Sequence, residues 1–84
     1  MAPVTELHGK RIALVGFGKE SVALARFAVS EGAAAITATD TKSADQLAGM
    51  IEQAADLTPP VRLFAGGNDP AAWADADVIF VSPG

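Results

Sequence analysis

The sequence predicts an α/β domain built on a parallel β-sheet, and two observations carry that prediction. Short apolar runs alternate with helical patterns along the chain, which is the order that builds a parallel sheet with right-handed crossovers. In addition, residues 12–15 are apolar without in-and-out alternation, as expected of a strand covered on both faces. The length of 84 residues suits one small domain, and we treat residues 1–84 as that domain.

Four strands are predicted, over residues 11–15, 35–39, 61–65 and 78–81. The first helix is predicted over residues 19–31, with Gly32 where a left-handed residue commonly ends a helix. Between strands three and four, Asp69 is the predicted cap of one short turn that begins at Pro70.

A second helix is indicated by a capping box and an apolar stripe. Ser43 and Gln46 have the spacing at which their side chains satisfy free backbone N–H groups at a helix start. The stripe recurs at i, i+3, i+4 and i+7, and all four of its members are predicted to be core. They are Leu47, Met50, Ile51 and Ala54.

These elements predict a Rossmann-like three-layer fold with strand order 3-2-1-4. In that order strands one and four are neighbours and the chain reverses direction between them, so the crevice beyond their carboxyl ends is the predicted ligand site. Residues 16–21 and 82–84 would line this crevice although they are far apart in sequence, and residues 40–42 would flank it.

Composition excludes several classes of function. The chain has no cysteine and one histidine, so we expect neither a metal site nor a catalytic residue of the cysteine or histidine type. Net charge is −4, divided as +1 over residues 1–42 and −5 over residues 43–84, which argues against nucleic acid. Neither a membrane span nor a signal peptide is recognisable, and we expect a cytoplasmic monomer.

The glycine pair Gly16 and Gly18 lies between the first strand and the first helix. Missing side chains there let the backbone approach a diphosphate, whose charge the helix N-terminus favours. The alternative is a tight turn that needs glycine geometry and binds nothing. Ser21 stands where G-x-G-x-x-G has its third glycine, and helical stepping places this small residue toward the sheet. Lys19 is either a cationic contact or a surface lysine, and Glu20 is expected to point away.

Asp40 lies 22 residues beyond Gly18, close to the spacing of about 20 at which a carboxylate accepts hydrogen bonds from a ribose. The alternative is an aspartate that serves only the turn before the second helix. After strand four the chain reads Ser82-Pro83-Gly84, and a backbone turn against a ligand is one reason for such a sequence.

Together, the run IALVGFGKES, residues 39–42 and the closing ADVIFVSPG resemble the N-terminal domain of the Mur ligases, most closely the branch that adds D-glutamate. The resemblance covers the chain from Gly9 onward and implies a three-domain cytoplasmic enzyme of peptidoglycan synthesis that forms an amide bond at the expense of ATP. It implies that the N-terminal domain holds the UDP part of UDP-N-acetylmuramoyl-L-alanine. The other two domains would bind ATP with magnesium, and D-glutamate.

The resemblance also implies the residues that bind the UDP moiety. Residues 18–21 would face the diphosphate, Asp40 and Thr41 would contact the uracil, and Lys42 would lie over it where the family often has arginine. The full predicted set is Gly16, Gly18, Lys19, Glu20, Ser21, Asp40, Thr41, Lys42, Ser82 and Gly84. Departures from the family pattern are Ser21 for the more usual glycine, and Lys19 and Glu20 in place of residues that are uncharged in some members.

The family fold continues beyond Gly84 with at least one more strand, and the chain carries no G-x-x-x-x-G-K-[ST] loop for ATP. We therefore expect a piece of the ligase, without a cofactor or ligase activity of its own. Two other interpretations stay open. An NAD-binding half of an oxidoreductase explains the glycines and Asp40 but leaves Lys42 and Ser82 unexplained, and a Rossmann-like interaction module would bind no nucleotide.

Overall fold

A computed structural model of the chain describes residues 7–82. The four strands are β1 Arg11–Val15, β2 Ala35–Asp40, β3 Val61–Ala65 and β4 Val78–Val81. The helices are α1 Lys19–Ser30 and α2 Ala48–Gln53, and a 3₁₀ turn covers Pro70–Ala72. Over this part of the chain, no helix has both the length and the apolar character needed to cross a membrane.

The sheet has the predicted topology. All three strand pairs are parallel and the order is β3-β2-β1-β4, which confirms the α/β fold and the 3-2-1-4 order. Residue Ile12 of β1 pairs with Ile36 on one side and Val78 on the other. Because the strands are parallel, the loops that follow their carboxyl ends all leave from one edge of the sheet.

The layers follow from the direction in which the chain crosses the sheet. The crossovers through α1 and α2 run the same way, so right-handedness places both helices on one face. The connection from β3 to β4 runs across the sheet in the opposite direction, which places the 3₁₀ turn on the other face, in contact with β2. Within residues 7–82, the third layer of the predicted three-layer fold therefore consists of this turn, which Asp69 caps by accepting a hydrogen bond from Ala71 N–H at 2.9 Å.

The centre of the sheet is covered on both faces. Ile12, Ala13 and Leu14 are each 1% exposed, as the unbroken apolar run predicts. Small residues on α1 let the helix lie close to the sheet, since Ala25 and Ala28 are fully buried in the same core. The sheet is less covered at β4, where the alternate residues Ile79 and Val81 are exposed.

The capping box forms, but α2 is shorter than its apolar stripe. Gln46 N–H donates to Ser43 Oγ at 3.3 Å and Ser43 N–H donates to Gln46 Oε1 at 2.9 Å, yet the helix begins only at Ala48. Leu47 is 3% exposed whereas Ile51 is 38% exposed, so the prediction that Ile51 is core was wrong.

The reason lies in the helical angle between the residues of the stripe. At about 100° per residue, Leu47 and Ala54 lie within about 20° of each other, and both are buried. Ile51 and Met50 lie about 60° and 40° from Ala54, on opposite rims of the stripe, and Met50 is only partly buried. A six-residue helix covers too little of the sheet to bury its rim.

This difference predicts unequal costs of truncation at two apolar positions of the same stripe. Leu47→Ala should lower the free energy of unfolding by about 2–4 kcal/mol, because it empties a buried site. Ile51→Ala is the matched control and should cost less than about 1 kcal/mol, because much of that side chain is already in water. Urea unfolding followed by circular dichroism measures both, and equal losses would contradict the packing described here.

Candidate functional site

A cavity of about 370 Å³ opens at the carboxyl ends of the four strands. Its lining consists of Val15, Gly16, Phe17, Gly18, Asp40, Thr41, Lys42, Asn68 and Ser82. Across the sheet edge the segments follow the strand order, with Asn68 after β3, residues 40–42 at β2, residues 16–18 after β1, and Ser82 after β4. The structure thus brings six of the predicted site residues to one crevice, and ligand binding by them stays a prediction.

Gly16 is required by the fold itself. Its φ is +98°, a left-handed value that side chains disfavour, and an added Cβ would lie 2.8 Å from the Cβ of Ser82. Its N–H donates to the carbonyl of Thr39 at 2.7 Å, while Ser82 N–H donates to the carbonyl of Val15 at 2.9 Å. A glycine at position 16 therefore lets the ends of β1, β2 and β4 meet, whether or not a ligand is bound.

Gly18 is different, because no described part of the fold demands glycine there. Its backbone is extended, with φ −110° and ψ −165°, and apart from its chain neighbours no described residue has an atom within 4 Å of an added Cβ. Gly18 is the N-cap of α1, and no side chain caps the helix. The open space therefore adjoins N–H groups of the first helical turn, which is the arrangement that favours an anion.

Ser21 faces the sheet, as helical stepping predicts. It is 6% exposed, and its hydroxyl donates to the carbonyl of Gly16 at 2.6 Å. The serine at the third glycine position thus braces the turn from inside, so its hydroxyl is used within the fold. Its backbone N–H belongs to the first turn of α1.

Three predicted site residues, Lys19, Glu20 and Ser21, do not line this cavity in the structure. Lys19 and Glu20 are exposed at the start of α1 and are absent from the cavity lining. Glu20 borders a separate groove of about 130 Å³ together with Ser82. Gly84 lies outside the described residues.

The carboxylate of Asp40 links two of the converging segments. Oδ2 accepts a hydrogen bond from Phe17 N–H at 2.8 Å, and Oδ1 accepts one from Lys42 N–H at 2.9 Å. The Lys42 bond fits the predicted turn aspartate, whereas the Phe17 bond reaches across to the glycine turn. Both oxygens therefore hold backbone in place, and a carboxylate has about four lone-pair sites, so acceptor capacity is left for a ligand.

Opposing effects act on the pKa of Asp40. Burial raises it, but hydrogen bonds from the N–H groups of Lys42 and Phe17, with the Lys42 charge and the Thr41 N–H, outweigh burial. The net result is a pKa below the ordinary value of 3.8. Asp40 is thus ionised at neutral pH, which keeps both of its oxygens available as acceptors.

Sequence reasoning missed two residues of the site. Phe17, which stands between the two glycines in the sequence, is 2% exposed. Its ring belongs to the hydrophobic core and so anchors the turn. Asn68 lies between β3 and the Asp69 cap, and no sequence motif points to it. The available signal was its position, since it is a polar residue just beyond the carboxyl end of a strand that borders the crevice.

A second cavity, of about 340 Å³, opens near the amino ends of the strands and is bordered by Arg11, Arg62 and Asp75 among others. Its volume is comparable, but the glycine turn and the N-terminus of α1 lie at the other edge. Ligands of open parallel sheets bind beyond the carboxyl ends, so the first cavity is the better candidate. Among residues 7–82, no group of three or more His, Cys, Asp or Glu side chains could hold a metal ion.

Comparison with known proteins finds relatives that share one function. The chain is 39% identical over 80 residues to UDP-N-acetylmuramoylalanine--D-glutamate ligase of Bdellovibrio bacteriovorus, which covers 95% of the chain and 17% of the relative. It is 42% identical over 79 residues to the same ligase of Geobacter metallireducens, covering 94% of the chain and 17% of the relative. The corresponding ligase of Desulfosudis oleivorans is 38% identical over 84 residues, covering 100% of the chain and 17% of the relative.

The chain thus spans about one sixth of the length of these curated relatives. No protein-family model matches it, and no solved structure matches it significantly.

The two hydrogen bonds of Asp40 generate a prediction about acid stability. Asp40→Asn should lower the free energy of unfolding at pH 7 by about 1–3 kcal/mol, because one amide oxygen replaces two carboxylate acceptors and leaves one N–H unpaired. The folded-state pKa is lowered, so the wild-type advantage is present above pH 3.8 and is lost as pH falls through the folded pKa. Urea unfolding of both proteins between pH 7 and pH 2.5 measures this. A difference that does not shrink at low pH would contradict it.

Proposed function

We propose that this chain, a homologue of the D-glutamate-adding Mur ligases, binds the UDP part of UDP-N-acetylmuramoylalanine. The observation that carries the proposal is Gly18, a glycine that the described fold does not need and that leaves space open at the N-terminus of α1. A ligand whose anionic group approaches the backbone there explains the missing side chain.

The diphosphate lies over Gly18 and the first turn of α1 in this proposal. Its charge is favoured by the positive end of the helix dipole and by N–H groups that no side chain caps. Lys42, on the cavity wall at the end of β2, adds positive charge to the crevice as a whole. Ser82 closes the opposite side, next to Gly16.

The uridine lies toward β2 and β3. Residues 40–42 are held there by backbone hydrogen bonds, because Gly66 N–H donates to the carbonyl of Lys42 at 2.8 Å and Gly67 N–H donates to the carbonyl of Asp40 at 3.0 Å. Such bracing places the N–H groups and side chains of the segment before a ligand arrives. Asp40 and Thr41 then contact the base, and Lys42 covers it.

The chain contributes recognition rather than chemistry in this proposal. Its relatives are ligases that join D-glutamate to UDP-N-acetylmuramoylalanine, and the chain spans 17% of their length. We assign the amide-forming step, with its ATP, magnesium and D-glutamate, to parts of the ligase that correspond to none of the 84 residues.

The NAD alternative lacks support from the comparisons. The three relatives named above are all D-glutamate-adding ligases. A dinucleotide site uses a carboxylate at this position to accept hydrogen bonds from a ribose. Asp40 accepts the N–H groups of Phe17 and Lys42 and keeps acceptor capacity for a ligand, so the carboxylate alone does not separate UDP from NAD.

Gly18→Ser separates ligand binding from folding. Serine is a good N-cap, so the free energy of unfolding should stay the same or rise slightly. The new side chain fills the space above the helix N-terminus, and losing one or two charge-assisted hydrogen bonds should weaken UDP binding about ten- to a hundredfold. Amide chemical shifts of the ¹⁵N-labelled chain, titrated with UDP to millimolar concentration, measure binding.

The control is Gly49→Ser, which makes the same change in α2, where an added Cβ also meets nothing within 4 Å. It should leave UDP affinity unchanged. In the wild type we expect UDP to shift amides of residues 16–21 and 40–42. A folded chain that shows no such shifts, or that prefers NAD to UDP, would contradict the proposed function.

A further inference from the structure

Asn68 is a polar side chain of the cavity wall that the proposed contacts do not use. The buried hydroxyl of Thr39 fixes the backbone of the residues on both sides of Asn68. Thr39 is fully buried, and its Oγ1 donates to the carbonyl of Gly67 at 2.8 Å and accepts a hydrogen bond from Asp69 N–H at 3.3 Å. The position of Asn68 at the cavity is therefore set by the fold.

The Thr39 hydroxyl also contacts the side-chain amide of Asn68. Thr39 Oγ1 lies 3.5 Å from Asn68 Oδ1, which makes Oδ1 a second, weaker acceptor of the hydroxyl proton. The Nδ2 end of the amide carries two donor hydrogens and makes no hydrogen bond to any residue that the structure describes. The amide thus has a donor group left for a ligand in the cavity.

The contacts of Asn68 decide which part of the ligand it meets. Gly67 bridges to Asp40, and Thr39 Oγ1 lies 3.5 Å from Asn68 Oδ1, so Asn68 lies over the end of β2, beside residues 40–42. In the proposed function this segment contacts the base, whereas the diphosphate lies over Gly18. Asn68 therefore meets the base rather than the phosphates.

We propose that Asn68 is a specificity-determining residue whose Nδ2 donates a hydrogen bond to O4 of uracil. Position 4 of the pyrimidine is a carbonyl acceptor in uracil and an amino donor in cytosine, so an amide donor at this point favours uracil. The inference rests on the proposed function, because it places the diphosphate over Gly18.

The test measures the dissociation constants of UDP and CDP for the chain by amide chemical shifts. The wild type should prefer UDP by about three- to tenfold, the worth of one neutral hydrogen bond. Asn68→Ala should reduce that preference by weakening UDP binding about three- to tenfold while leaving CDP binding unchanged. Asn68→Asp should bind CDP better than UDP, because a carboxylate accepts from the cytosine amino group.

Both variants change an exposed side chain, so they should fold. The control is Gln53→Ala, which removes an exposed carboxamide from α2 and should leave both affinities unchanged. Wild-type binding of UDP and CDP with equal affinity, or an Asn68→Ala variant that keeps the preference for UDP, would overturn this inference while leaving the proposed function in place. A folded wild type that binds neither nucleotide would overturn both.

Discussion

The site depends on the carboxylate of Asp40, which ties the glycine turn to the end of β2 through the N–H groups of Phe17 and Lys42. The carbonyls of residues 40 and 42 in turn accept N–H groups from the loop after β3. On the other side, the N–H of Ser82 donates to the end of β1. Backbone hydrogen bonds thus connect the segments that follow all four strands, and the crevice is shaped before any ligand enters.

The two glycines of the motif answer to different constraints. Gly16 serves the fold, since its positive φ and the nearness of Ser82 exclude a side chain. Gly18 keeps the space above the N-terminus of α1 open, because it has no side chain. Ser21 can replace the third glycine because its small side chain turns inward and bonds to the carbonyl of Gly16. The fold therefore accommodates serine at the third glycine position, and the crevice stays open.

Most of the fold could be predicted because it follows from local patterns and from the handedness of crossovers. The strands, their order and the inward direction of Ser21 are of this kind. The resemblance to the Mur ligases, stated from short motifs, is confirmed by relatives at 38–42% identity. Site features that depend on which loops become neighbours could not be predicted, such as the Asp40 bond to Phe17 and the place of Asn68. The exposure of Ile51 depends on how far a short helix extends over the sheet.

The orientation of a bound nucleotide is the most direct measurement. Intermolecular nuclear Overhauser effects between UDP and the ¹⁵N,¹³C-labelled chain should connect uracil H5 with the side chains of Lys42 and Asn68. The ribose H5′ protons, next to the diphosphate, should instead connect with the amide protons of the first turn of α1. Uracil contacts with Arg62 and Phe64, in the cavity at the amino ends of the strands, would contradict a uridine site at the carboxyl edge.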